Sequence, residues 1–192
     1  MRMPRGPVVA GALLLTSCAT VGSGDFNRGN PYGAPRPYGL HPGIDFMVDI
    51  GTPIIAPADG AVTSTRKSDG PQPWQGGFIV HVSHGEHFDS VNMHLMRIDV
   101  QPGQSLRRGQ LIGLSGASNS GHAHLHFGIC RTGGNCFDYT QTYDPDKFWL
   151  GGAPRCYEPR TDYSARSAQG LTLPVACGEY ANELLARSKR KD

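Results

Sequence analysis

The sequence predicts a mainly β protein, an antiparallel sheet folded on itself as a barrel or sandwich, with few short helices. Three observations carry this expectation. Glycine (26) and proline (15) are frequent, which works against long helices and favours short strands joined by turns. From residue 53 to residue 130 short apolar runs recur between Gly- and Pro-containing breaks. No amphipathic helical pattern of useful length precedes residue 180. With 192 residues, 38% of them hydrophobic and 18% charged, the chain suits one folded domain with short additions.

In chain order, Arg2 and Arg5 precede an apolar run, Pro7 to Leu15, that is too short to span a bilayer as a helix. Leu15-Thr16-Ser17-Cys18 follows in the order of a bacterial lipobox. Residues 1–17 are therefore expected to be a lipoprotein signal peptide, and Cys18 to carry a lipid that attaches the chain to a membrane. A plain secretory signal ending near a cysteine is the alternative. Ala19, where retained Gram-negative lipoproteins carry Asp, implies by that resemblance an outer-membrane protein facing the periplasm. Val21 to Pro37 is rich in Gly, Pro and Asn, so residues 18–37 read as a flexible tether.

The domain is expected over residues 38–150. Pro53–Ala56 reads as one strand, and the Asp59-Gly60 turn leads into Ala61–Thr63. Gly77–Val82, Ser90–Leu95, Gln110–Ser115 and His122–Cys130 complete the set. Residues 151–192 form an extension, irregular to Gly178 and stapled to the domain by its cysteines. A short helix over Glu179–Ser188 and a basic tail (Arg187, Lys189, Arg190, Lys191) follow.

The net charge of +2 is too small for a nucleic-acid-binding face, and both excess charges sit at Arg2 and Arg5. Cys130, Cys136, Cys156 and Cys177 remain after Cys18. An even number in an exported chain implies two disulfides, for which three pairings exist. Cys130–Cys136, closing a turn around Gly133-Gly134, with Cys156–Cys177 is the favoured one. A thiolate metal site fits poorly, because the spacing is not Cys-x-x-Cys.

All eight histidines fall between His41 and His126. In His41-Pro42-Gly43-Ile44-Asp45 a turn at Pro42-Gly43 would bring an imidazole and a carboxylate to one ion. In a strand, His122, His124 and His126 project to one face, opposite Ala123, Leu125 and Phe127. Several imidazoles on one face are costly to bury without a metal or partners. Two histidines and a carboxylate are ligands typical of a catalytic zinc site, which leaves a position open for water. His81, His84 and His87 lie in a strand and turn, and read as surface or edge residues, with Glu86 and Asp89 as solvated turn residues.

His41-Pro42-Gly43-Ile44-Asp45, His94-Leu95 and His124-Leu125-His126-Phe127, in that order, resemble the lysostaphin-type (LytM, M23) zinc metallopeptidases. Gly51-Thr52-Pro53-Ile54, Ala58-Asp59-Gly60-Ala61-Val62 and the run from Gly103 to Gly113 agree, so the resemblance covers residues 38–144. It implies a LytM fold with a groove, and zinc held by His41, Asp45 and His126. It also implies catalytic roles for His94 and His124 beside the metal, and peptide cross-links of peptidoglycan as substrate. The chain departs from the pattern at Asn92, where the family has Tyr two positions before the middle histidine. At His122-Ala123 the family has Gly-Pro, so a ligand set using His124 and a neighbour stays open, and at Gly128 it often has Glu. The segment 68–76 reads as a loop bordering the groove, with Trp74 either stacking on substrate or packed on the surface. Some members of the family lack ligands and act as binding modules that regulate cell-wall amidases. That is the alternative function.

Overall fold

The computed structural model describes residues 27–67, 77–164 and 170–190. Cys18 with its signal segment, Trp74 and Lys191 lie outside them. The described residues form eleven strands and one helix. A small hairpin, β1 (Pro35–Arg36) and β2 (Gly39–Leu40), leads into β3 (Gly43–Phe46), β4 (Pro53–Ile55), β5 (Gly60–Arg66) and β6 (Phe78–Ser83). Then come β7 (Asp89–Ile98), β8 (Ser105–Leu106), β9 (Leu111–Ser115), β10 (Leu125–Cys130) and β11 (Thr142–Tyr143). Helix α1 (Gly178–Ser188) closes the chain.

Every strand pair is antiparallel, and the main sheet runs β11-β10-β7-β6-β5-β8, with β3 beside β10 and β4 beside β9. It is sheet-rich but does not close into a barrel. The expected strands are present, although the last begins at Leu125 rather than His122. The pieces the pattern did not show (β1, β2, β3, β8, β11) have two to four residues, too few for any alternation to register.

Strand β7 is the axis of the sheet. Along one edge, Asp89–Met93 pair with β10 and Leu95–Ile98 with β9, while β6 follows the other edge. The change of neighbour falls at His94, whose φ of 64° is rare for a residue with a side chain. The break in the ladder lets two strands abut on one edge and turns the His94 ring into the gap between them.

Period-two alternation gives the sheet two different faces. Ile44 and Phe46 of β3 and Leu125, Phe127 and Ile129 of β10 enter the main core with Val80, Val82 and Leu95. Each such fully buried side chain contributes about 1.5–3 kcal/mol. The residues between them, Asp45 and His126, are register partners on the other face, which also carries a small cluster of Ile79, Val91, Met93, Cys130 and Cys136.

The extension belongs to the core. Leu171, Leu173 and Val175 are buried within it, Ile55 N–H donates to the Pro174 carbonyl and Thr172 N–H to that of Pro57. Leu184 of α1 packs on Ile55 and Ala176. Both disulfides take the favoured pairing, Cys130–Cys136 and Cys156–Cys177. The second links two parts of the extension to each other, so burial and backbone hydrogen bonds, not a cysteine staple, fix the extension to the domain. At the other end, residues 27–30, read as tether, run along the outer edge of β3: Gly29 N–H donates to the Asp45 carbonyl, Asp45 N–H to Asn30 and Met47 N–H to Asn27.

Candidate metal centre

The bend at Pro42 ends the hairpin and starts β3, so His41 lies just ahead of the strand that carries Asp45. Strand β10 brings His126 opposite Asp45. The three side chains are the one group among the described residues whose His, Cys, Asp or Glu donor atoms converge closely enough to hold a metal ion. His41 Nε2 is 2.8 Å from His126 Nδ1 and 3.2 Å from Asp45 Oδ1, and His126 Nδ1 is 3.1 Å from the same oxygen. Donors about 2.0–2.2 Å from a tetrahedral ion would stand roughly 3.4 Å apart, so the two edges to Asp45 fit zinc within a few tenths of an ångström and the 2.8 Å His41–His126 edge would open by about half an ångström. All three residues are buried.

The rings have defined roles. His41 Nδ1 donates to the Pro31 carbonyl at 2.9 Å, which leaves the Nε2 lone pair facing the triangle. His124 Nδ1 is 3.1 Å from the His122 carbonyl in the turn ahead of β10, and its Nε2 reaches to 3.7 Å from Asp45 Oδ1. His94 Nδ1 donates to the Ser118 carbonyl at 2.8 Å, and its ring lies 4.5 Å from that of His124 between centroids. Two further imidazoles thus stand beside the triangle, each with Nε2 turned away from its backbone partner.

Burial, and to a lesser degree the neighbouring histidines, push the His94 pKa down to about 3, against a smaller opposing effect of its bond to Ser118. Burial also lowers His124 and His126. All three rings are therefore neutral at physiological pH, as a metal ligand or proton acceptor must be. Burial alone would raise the Asp45 carboxyl. The hydrogen bonds and charges of His126 and His41 outweigh it and hold Asp45 far below the usual carboxylate range.

Close packing from behind sets the His126 ring. A β-carbon on Gly43 would meet the Phe127 carbonyl and the His126 ring, and one on Gly128 would stand 3.0 Å from Val91. The absence of side chains at these two register-paired positions is what lets β3 and β10 lie flat against the imidazole.

The structure brings together all five residues singled out in the motifs. His122 is exposed, and its ring stacks on His124 at 4.7 Å. His126, not His122, completes the triangle. Asn92 pairs with Val80 and Phe127 on the core side, away from the histidines, and both its amide atoms are buried without partners. The departure from Tyr there changes the core rather than the site. His87 is exposed and His81 is half-buried against Phe137, but His84, expected near the surface, is buried. Its ring bridges the Asp59 carbonyl and the Ser90 hydroxyl at 2.8 and 2.9 Å. Asp89 is not a free turn residue either, since it accepts from Gly133 N–H at 2.9 Å. Asn30, Pro31, Arg36 and Ser118, which touch the site residues, carry no signal in the sequence. Three of them sit in a stretch whose composition reads as tether, and contacts across the fold leave no local pattern.

The sequence profile of peptidase family M23 matches residues 39–139. The chain belongs to this family. Its curated relatives include an uncharacterized metalloprotease of Haemophilus influenzae, 41% identical over 53% of this chain and 20% of its own length. Another is the peptidoglycan DD-endopeptidase ShyA of Vibrio cholerae, 40% identical over 48% of this chain and 21% of its own length. The chain thus spans about a fifth of these relatives. Among solved structures, the catalytic domain of lysostaphin from Staphylococcus simulans superposes with a TM-score of 0.55 at 30% identity, over 64% of this chain and 90% of that one. A zinc-containing peptidase from Vibrio cholerae gives 0.52 at 27% identity, over 62% and 35%. The M23 match spans the donor triangle, His94 and His124, and leaves out Asn30, Pro31 and Arg36.

Proposed function

We propose that this M23 chain is a zinc-dependent endopeptidase that hydrolyses peptide cross-links of bacterial peptidoglycan, held at the outer membrane through a lipid on Cys18. The observation that carries the reading is the buried His41–Asp45–His126 donor triangle flanked by two more buried imidazoles. The likeness to ShyA, a peptidoglycan DD-endopeptidase, supports the substrate class. His41 Nε2, Asp45 Oδ1 and His126 Nδ1 would hold the ion. When bound, zinc supplies a Lewis acid that polarises a carbonyl and makes water acidic near neutral pH.

The rest is the work of the side chains. Asp45, fixed as a carboxylate, offsets part of the cation's charge and leaves the site positive toward an amide oxygen. His124 and His94, with Nε2 free to accept, take the proton from the attacking water and return it to the departing amine, which must leave protonated. Their fixed Nδ1 donors, committed to the His122 and Ser118 carbonyls, hold both rings at the reacting position without reorganisation.

The test is zinc content together with digestion of purified sacculi. The parent should bind one zinc and release new cross-bridge products. Asp45→Ala and His126→Ala should lose both properties, whereas His124→Ala should keep the metal and lose cleavage by about 10²–10⁴-fold. No zinc and no cleavage in the parent would favour the amidase-regulating module, zinc without cleavage would point to an occluded groove or a missing activator, and cleavage by His126→Ala at the parent's rate would overturn the proposal.

A further inference from the structure

Two of the three candidate ligands are held from behind by chain that precedes the family match. Arg36 Nη2 donates to Asp45 Oδ2 at 2.6 Å and Asn30 Nδ2 to the same oxygen at 3.1 Å. The Pro31 carbonyl accepts from His41 Nδ1 at 2.9 Å. Each contact is made to the atom that faces away from the triangle. We infer that residues 30–36 form the supporting shell of the metal centre, with Arg36 and Asn30 as positioning residues for Asp45 and Pro31 for His41. The inference rests on the zinc reading above.

A free carboxylate can turn about its last torsion and offer either oxygen, or both, to an ion. Two donors on Oδ2 settle that choice and leave Oδ1 to the metal. Occupying His41 Nδ1 likewise settles the tautomer in which Nε2 is the ligand. The donors do not depend on their own contacts to stay in place. The Gly29 and Asn30 backbone is laddered to Asp45, while Gly33 N–H donates to the His41 carbonyl and His41 N–H to that of Ala34, both at 2.9 Å. A β-carbon at Gly29 would come within 2.8 Å of the Met47 sulfur and 3.2 Å of the Asp45 β-carbon, so the approach is as close as glycine allows. The backbone of this stretch is thus ordered before any side chain acts. Arg36 adds a positive charge against a carboxylate that is only 3% exposed.

The experiment uses the full-length chain and two readouts that do not involve catalysis: zinc affinity by competition with a chromophoric chelator, and the visible spectrum of the cobalt-substituted protein. Arg36→Ala and Asn30→Ala should weaken zinc binding about 10–100-fold, change the cobalt spectrum, and keep the parent's far-UV circular dichroism. Arg36→Lys, which restores a donor and a charge, should recover part of the loss. Arg28→Ala removes an exposed ion pair with Asp146 on the same stretch and should bind zinc as the parent does. Parental affinity and spectrum in both Arg36→Ala and Asn30→Ala would overturn the inference and leave the zinc reading standing. So would an equal loss in Arg28→Ala, which would mean that only the docking of the segment matters. A parent that binds no zinc would overturn both.

Discussion

Gly43 has no side chain because none fits between the Phe127 carbonyl and the His126 ring. Gly43→Ala should therefore act on the metal centre without touching a ligand. Overpacking of this kind costs about 1–3 kcal/mol, and the readout is a lower unfolding temperature together with weaker zinc binding by chelator competition. At this scale much of the site was legible. His41, Asp45, His94, His124 and His126 stand out because few side chains hold metals or carry protons near neutral pH, and these recur in three short motifs in order. What picks His126 over His122 is not visible in the strand pattern. It depends on where β10 begins and on which histidine faces Asp45 across β3. Asn30 and Arg36 were illegible for the same reason: an ordinary amide and an ordinary guanidinium in a Gly- and Pro-rich stretch gain meaning only from the partner the fold gives them.

Among the elements, β7 does the most to shape the site. Its break at His94 admits β9 and β10 to one edge and buries an imidazole in the gap. That ring ties stability to pH. In the unfolded chain it titrates near the ordinary histidine value of 6.5, and in the folded chain only near 3. Between those values the unfolded chain binds the extra proton, so the metal-free protein should lose stability as pH falls from about 6.5 toward 3. His94→Asn keeps a residue that tolerates positive φ and removes the titration. Chemical denaturation of the metal-free parent and variant at several pH values should show a shallower loss in the variant across that window, and parallel curves would sink the account. The strands long enough to alternate, β5, β6, β7, β9 and β10, were readable as apolar runs between turns. The His94 kink was not, because nothing in a short run of apolar residues marks where a strand changes neighbours.

For the molecule as a whole, the boundary that matters lies beyond the family match. Leu171, Leu173 and Val175 come from the extension but sit in the same core as Ile54, Phe127 and Trp149. Leu173→Ala, in the main core and not among the donor residues of the site, should cost about 2–5 kcal/mol in denaturant unfolding while the zinc affinity of the protein that remains folded stays at the parental value. An exposed, dispensable tail would show no such loss.

The pairing of Thr172 with Pro57 and of Pro174 with Ile55 joins stretches separated by more than a hundred residues. Such contacts form late, since a long loop must close before they are made. A chain that emerges with its N-terminus first presents every ligand of the site well before it can seal the core beneath them. A product broken off after the last histidine would carry the whole constellation yet leave Ile54, Ile55 and Phe127 open to proteases. In this architecture the stretch from Leu171 to Leu184 is the keystone: the donor residues stand on a finished core only once it has docked.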